Sequence, residues 1–452
     1  MQILIAGAGK VGAAVASQLA REGHDVAVID NNEYALNDVL AAVDVSTFFG
    51  NCINPDILRE AQADQADLFI ALTGDDGNNL FGCLLARQLG AKNTIARVRR
   101  TEYTKMLPLI SEDLHLSMAV NPEKEAAMEI ARILALPLAN KVETFAKGRV
   151  EMIDYALESG SPICGKRVKD VFFNMKSALV CAVERGEEVF IPLGDFLFEE
   201  GDVLTVIAPA GRMWEFFRVV GGKQQAVKKV IISGGGRTSY YLAEQLLSQH
   251  MRVTIFEKDE AVARELAELL PQAVICHGDG TSQSVLMEEG LAEADAFCCL
   301  TGIDEENIIT ALAAKYEAPQ LKTVVKVNRS ELIPVTKPLG VGSVVSPKMM
   351  VSDRVVGYVR AIQRGVGSGV LTLYQVVDNK AEAIEFKVSA DSQLTGVPIR
   401  QLKLKDNIIL ACINRGGSII SPRGDDCLLA GDTVIVVTTH TGFDVLDDII
   451  RG

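Results

Sequence analysis

Hydrophobic and polar positions alternate along the chain in blocks of two kinds. Short apolar, mostly β-branched runs occupy residues 2–6, 26–30, 68–72 and 94–98. Between them lie stretches with apolar residues at three-to-four spacing, such as 11–22, 57–63 and 80–89. Strands that alternate with amphipathic helices of this length predict a parallel sheet wrapped on both faces. The same pattern returns with strands at 229–233, 252–257, 296–300 and 323–327. After about residue 121 the pattern changes. A segment beginning at Pro122 carries Ala126, Ile130, Ile133 and Leu134 on one face, which predicts a helix over 122–136. Short strands broken by turn residues then follow over 142–210 and 371–440, predicting small strand-rich modules.

The second half repeats the first. The turn Gly7–Gly12 (GAGKVG) is answered by Gly234–Ser239 (GGGRTS), an offset of 234 − 7 = 227. Asp30 is answered by Glu257, also at 227, and Thr73-Gly74, Asp76 and Asn79 by Thr301-Gly302, Asp304 and Asn307 at 228. Arg97 pairs with Lys326 at 229, and Gly201-Asp202 with Gly431-Asp432 at 230. An offset that drifts this slowly is a tandem duplication. The expected organisation is α/β, with two Rossmann-like doubly wound parallel-sheet domains (1–120 and 228–345). Each is followed by a crossover helix and a small α+β domain (121–222 and 346–452), and the polar stretch 221–229 is the expected hinge. The helices over 122–136 and 347–364, rich in small and apolar residues, are expected to pack across a subunit boundary.

Composition narrows the function. The 452 residues carry 45 Lys+Arg against 59 Asp+Glu, a formal charge of −14, with 48% hydrophobic residues. A protein this acidic lacks the basic face that nucleic-acid binding requires. No apolar run approaches the roughly 18 residues that span a bilayer, and MQILIAGAGK, with no basic residue before its apolar stretch and a glycine turn directly after it, is not expected to act as a signal peptide. Nine cysteines without a CxxC pair predict buried free thiols in a reducing cytosol rather than disulfides or zinc.

The candidate chemistry sits in the glycine turns. Gly7, Gly9 and Gly12 follow a strand and open a helix, the context that a G-x-G-x-x-G fingerprint needs. Gly7 permits the turn, Gly9 lets a pyrophosphate approach the backbone, and Gly12 lets helix and strand pack closely. Asp30, ending the next strand, is positioned to accept hydrogen bonds from an adenosine ribose; Asn31 and Asn32 follow it, with no Arg to take a 2′-phosphate. NAD, NADH, ADP and ATP all satisfy such a site. Lys10 is a candidate β- or γ-phosphate contact, Thr73-Gly74 lies over the crevice, and Arg97 is a candidate phosphate or interdomain contact. In the second copy Arg237 replaces Lys10, Glu257 is one methylene longer than Asp30, and Ser239 is expected to crowd the helix–strand contact.

Hydride transfer would need a proton donor beside the nicotinamide. Of five histidines, His24 and His250 fall in helix-to-strand turns, expected to be solvated, and none has a catalytic context. Asp75-Asp76 and Asp304-Glu305-Glu306 are read as helix-opening acids, so no metal or catalytic residue is assigned. A sensor is expected rather than an NAD-dependent dehydrogenase or a scaffold with vestigial sites.

These motifs, with GNCINPDILREA (50–61), ALTGDDGNN (71–79), IARVR (95–99), FEK (256–258), GDGTSQSVL (278–286), LTGIDEENI (300–308) and the AVNP and VVSP segments, resemble the TrkA family of Trk potassium-uptake regulatory subunits. The resemblance covers nearly the whole chain. It implies tandem RCK (potassium-conductance-regulating) domains, forming a homo-oligomeric dimer or tetramer ring at the cytoplasmic face of a membrane potassium-translocating subunit of Trk type. It also implies NAD(H), with ADP or ATP as alternative or additional ligand. Binding roles then fall to Gly7, Ala8, Gly9, Lys10, Val11, Asp30, Thr73, Gly74 and Arg97 in the first copy. In the second they fall to Gly234, Gly235, Gly236, Arg237, Thr238, Glu257, Thr301, Gly302 and Lys326. Gly77 and Ser239 depart from the family pattern.

Overall fold

The computed structural model describes the chain except residues 112, 137–140, 173–177, 222–226, 366–369, 378–379, 441 and 452. Most of the expected hinge (222–226) therefore lies outside the described residues. Among the described residues the backbone forms four sheets. The first holds β1 (Gln2–Ala6), β2 (Asp25–Asp30), β3 (Ser46–Phe49), β4 (Leu68–Ala71), β5 (Thr94–Arg97) and β6 (Met118–Val120). The second holds β7 (Lys141–Phe145), β8 (Val150–Ala156), β9 (Leu179–Arg185), β10 (Glu188–Phe190) and β11 (Val203–Pro209). The third repeats the first with β12 (Lys229–Ser233), β13 (Arg252–Glu257), β14 (Val274–His277), β15 (Ala296–Cys299), β16 (Lys322–Lys326) and β17 (Ser343–Val345). The fourth holds β18 (Val370–Val376), β19 (Ala381–Lys387), β20 (Ile408–Arg415), β21 (Ser418–Ile420) and β22 (Thr433–Thr438).

These elements gather into two compact units, Met1–Ala131 with Lys228–Tyr358, and Arg132–Val227 with Val359–Gly452. The first unit contains both doubly wound domains. Each of its sheets is parallel, in the orders β3-β2-β1-β4-β5-β6 and β14-β13-β12-β15-β16-β17. The order reverses between β1 and β4, and between β12 and β15, which opens a crevice at the carboxyl ends of those strands. Central strands such as Leu68–Ala71 and Ala296–Cys299 are buried at every position, as strands covered on both faces must be.

Polar contacts between the two copies are among those within this unit. Asn121 Nδ2 lies 3.3 Å from the Tyr241 hydroxyl, Ser352 Oγ 3.2 Å from Gln18 Oε1, and Arg354 pairs with Glu125 at 2.7 Å. Helices Pro122–Ala135 and Pro347–Gly365, expected to pack across a subunit boundary, are thus joined to each other by an ion pair inside one chain.

The second unit is built from antiparallel sheets in the orders β10-β9-β11-β8-β7 and β18-β19-β22-β20-β21. The two faces of the strands serve different cores. Ile153, Tyr155, Leu204 and Val206 pack with Phe198, Phe216 and Phe217 of their own module. Met152, Cys181, Ala182 and Ile207, on the other face, share a core with Ala383, Cys412, Ile435 and Val437 of the second copy. Both faces of each sheet are buried, which explains the continuous apolar runs VLTVIA and TVIVV where a half-exposed sheet would alternate.

Candidate functional site

The local sequence builds the first crevice from the turn outward. Gly7 has φ +107°, and a Cβ there would lie 2.9 Å from the backbone of Leu72 and Thr73, so the turn abuts the exit of β4. A Cβ on Gly12 would lie 1.8 Å from the Gly7 carbonyl oxygen, so glycine is obligatory for the helix Lys10–Arg21 to rest on its own turn. At Gly9 a Cβ would meet nothing within 4 Å. That open side, at the start of the helix with its free N–H groups, leaves a pyrophosphate room to approach the backbone.

Asp30 ties the turn to the next element. Its Oδ2 accepts from the Ala8 N–H at 2.6 Å and its Oδ1 from the Asn32 N–H at 2.8 Å. Asn32 in turn caps the helix Glu33–Ala42 by accepting from Tyr34 and Ala35 N–H. Each Asp30 oxygen keeps lone pairs for a further donor, such as a ribose hydroxyl. On the other side of the crevice Thr73 is locked by the fully buried Asn79. Asn79 Oδ1 accepts from the Thr73 N–H (2.9 Å) and Oγ1 (2.7 Å), and its Nδ2 donates to the carbonyls of Thr73 and Arg97. Arg97 donates to the Thr73 carbonyl, while its buried Nε has no hydrogen-bond partner. Burial, then the neighbouring Arg99 charge, hold the Arg97 guanidinium below its ordinary pKa, the condition of a cation that an anion would relieve.

The second crevice follows the same plan with compensating changes. Glu257 Oε2 accepts from the Gly235 N–H at 2.6 Å and Oε1 from the Asp259 N–H at 2.8 Å, and Asp259 caps the next helix. The extra methylene of Glu257 fits because glycine replaces Ala8: a Cβ on Gly235 would lie 2.8 Å from Glu257 Oε2. Ser239 does not crowd the helix–strand contact as expected. It is fully buried, and its hydroxyl donates to the Gly234 carbonyl, turning the tight approach of the first copy into a hydrogen bond. Asn307 locks Thr301 as Asn79 locks Thr73, and Lys326 Nζ donates to the Leu300 carbonyl at 2.8 Å.

Gly7–Val11, Asp30, Thr73, Gly74 and Arg97 therefore converge on one strand-end crevice, and Gly234–Thr238, Glu257, Thr301, Gly302 and Lys326 on the other. Lys10 and Arg237 are exposed at the turn, whereas the side chains of Val11 and Thr238 point into the core, leaving only their backbone to the site. Asp76 and Asp304 are structural. Buried at the starts of their helices, they accept from the N–H groups of Arg99 and Arg100, and of Asn328 and Arg329. Among the described residues no cluster of His, Cys, Asp or Glu could hold a metal ion. His24, expected to be solvated, is 7% exposed; its N–H donates to the Leu19 carbonyl, which draws the turn back under the helix. The two asparagine locks were missed, although the 228-residue repeat of Asn79 in Asn307 signalled them.

Two doubly wound domains in tandem, each with a fingerprint turn tied to an acid at the end of its second strand, define a duplicated dinucleotide-fold protein. The TrkA-N domain model matches residues 3–122 and 230–347, and the TrkA-C domain model residues 152–221 and 383–451. The chain belongs to the TrkA family of Trk system potassium uptake proteins. Trk system potassium uptake protein TrkA homolog 2 of Methanosarcina mazei is 30% identical over 444 residues, covering 96% of this chain and 97% of its own. In fold, the chain is similar to the GsuK channel bound to NAD (TM-score 0.65, 17% identity, 97% of this chain and 76% of that one). It is likewise similar to the GsuK RCK domain (TM-score 0.63, 17% identity, 96% and 92%). Among the described residues no helix is long and apolar enough to cross a membrane.

Proposed function

We propose that this chain is the nucleotide-sensing regulatory subunit of a Trk-type potassium uptake system. It binds NAD(H) or adenine nucleotides in its two crevices and acts from the cytoplasmic face, as a homo-oligomeric ring, on a membrane potassium-translocating subunit. The observation that carries this reading is the Asp30–Ala8 bond: a carboxylate anchored on the phosphate turn reads the ribose and feels the pyrophosphate together. Glu257 and Gly235 repeat it. A family of potassium uptake proteins and a fold shared with a channel solved with NAD support the rest. The role is binding rather than turnover. The Thr73 and Thr301 hydroxyls at the strand ends are committed to the asparagine locks.

A ligand shifts a conformational equilibrium only by its differential affinity for the two states. Adenosine is common to all four candidates, so the switching contacts lie at the far end, toward Arg97 and Lys326. Calorimetric titration with NADH, NAD, ADP and ATP on wild type, Asp30→Ala and Glu257→Ala tests the proposal. Each variant is expected to lose one binding event and keep the other. Failure of all four ligands to bind wild type would overturn it.

A further inference from the structure

The outermost strand of the first doubly wound sheet has a free side. β6 ends the order β3-β2-β1-β4-β5-β6, and among the described residues no strand lies beyond it. Its Val120 carbonyl faces β5, where it accepts from the Val98 N–H at 2.9 Å. Successive residues of a strand turn their backbone groups to opposite sides, so the N–H and carbonyl of Ala119 face outward. An outward donor and acceptor on one residue form a template for another extended chain.

A groove of about 460 Å³ follows this edge, and Ser117, Met118, Ala119, Val120 and Asn121 all line it. One wall is the helix Thr101–Ile110, which presents Thr104, Leu107 and Pro108. Pro108 has no N–H to give the Thr104 carbonyl, so this wall carries a backbone acceptor without its helical donor. The other wall is the crossover helix Pro122–Ala135, which presents Lys124, Glu125 and Met128. The second copy adds Arg354 to that wall; it pairs with Glu125 at 2.7 Å and has further N–H groups for a second carboxylate. Lys124 is exposed and has no ion-pair partner among the described residues. The charged groups lining the groove are thus two cations and one carboxylate, in a chain whose formal charge is −14.

We propose that this groove binds an extended segment of a partner protein, with acidic and apolar residues in alternation, which adds to β6 as a further strand. The backbone of such a segment supplies the acceptor and donor that Ala119 lacks. Its side chains alternate between two sides, so one set meets Leu107 and Pro108 while the other meets Lys124 and Arg354. The second copy does not repeat this chemistry. Counted from Pro122 and Pro347, Met349, Met350 and Asp353 stand where Lys124, Glu125 and Met128 do. One segment per chain is therefore expected.

The full-length protein tests this by fluorescence anisotropy. The probe is a labelled, end-blocked peptide of about seven residues, enough to span the edge, in which valine alternates with aspartate. It is expected to bind once per chain, and the same peptide with lysine for aspartate about ten-fold more weakly or not at all. N-methylation of two adjacent central residues is expected to abolish binding, because one of them must donate to the Ala119 carbonyl. Lys124→Glu is expected to weaken the acidic peptide several-fold. Ala119→Pro, which removes the outward N–H and leaves the ladder to β5, is expected to weaken it about ten-fold. Hydrogen exchange at the Ala119 amide is expected to slow when the peptide is added to wild type. If Ala119→Pro fails to fold in a thermal melt, the N-methylated peptide makes the same test on wild type. Equal binding of the acidic and basic peptides, undiminished binding after N-methylation, or no binding of the acidic peptide would overturn the proposal. Break-up of an oligomer by the peptide would put a second copy of this chain in the groove, and would overturn the choice of partner.

Discussion

At the residue scale the three fingerprint glycines have separate duties that substitution should separate. Gly12 is required by packing, since any side chain would collide with the Gly7 carbonyl at 1.8 Å. Gly9 has open space around its missing Cβ and an ordinary φ of −65°. Gly12→Ala is therefore expected to destabilise the protein by several kcal/mol, read as a large fall in the thermal midpoint. Gly9→Ala is expected to change stability by less than about 1 kcal/mol and yet to weaken nucleotide binding at least ten-fold, because its methyl group occupies the open side of the turn. A Gly9→Ala protein that binds normally would show that the ligand does not approach the turn there. Ser239 carries a Cβ at the matching position of the second copy, so that turn is spaced to admit one, and its hydroxyl donates to the Gly234 carbonyl.

At the element scale, the repeated Gly-Asp pairs proved to be anchors of the C-terminal modules. Asp202 accepts from Arg185 through both oxygens, and Asp432 does the same from Arg415, each also receiving a backbone N–H three residues back. Burial pushes the Asp432 pKa up, but the Arg415 fork and the Leu429 N–H outweigh it and hold the carboxyl below its ordinary value. A depressed folded-state pKa contributes stability above the unfolded value of about 3.9, lost as the pH falls through the folded value. Wild type is therefore expected to melt a few degrees higher than Asp432→Asn at neutral pH, with the gap closing below about pH 4. A gap that is constant across the titration would mean that charge plays no part.

The same scale shows what was legible. The central strands and the helices that open with Pro122 and Pro347 stood out, because buried strands must be apolar and proline marks a first turn. The edge strands β3, β6, β14 and β17 did not, being three or four residues long, and β3 and β14 have no fully buried position. The helix Thr101–Ile110 was hidden by Pro108 and by having no buried residue. Most of each crevice was legible because it is local: turn, acid and strand end lie within about a hundred residues, and the duplication wrote them twice. The charges that each copy brings near the other were not: Glu123 and Lys348 are unremarkable residues on helix N-termini until the fold sets them near Lys326 and Lys10 of the other copy.

At the scale of the whole molecule, each unit joins the two copies in its own way. In the unit of doubly wound domains, the described contacts between copies include hydrogen bonds and the Glu125–Arg354 pair, whose arginine is half-exposed. A surface ion pair of that kind contributes about 0–1 kcal/mol. In the C-terminal unit the copies share an apolar core containing Met152, Cys181, Ile207, Cys412 and Ile435, a face that neither module can leave in water. Cutting the chain between the halves tests this division. A fragment of residues 1–221 exposes the face of its second sheet, whose partner surface has the same plan, so it is expected to pair with itself. Light scattering on a sizing column should give about twice the fragment mass. Ile207→Asp in that fragment should return it to a monomer, because a carboxylate cannot enter a dry sheet-to-sheet core. Added nucleotide should leave the wild-type fragment's mass unchanged, since the apolar face alone holds the pair. A fragment that is monomeric at micromolar concentration would show that the shared core is a consequence of the covalent link and not a force that holds the copies together.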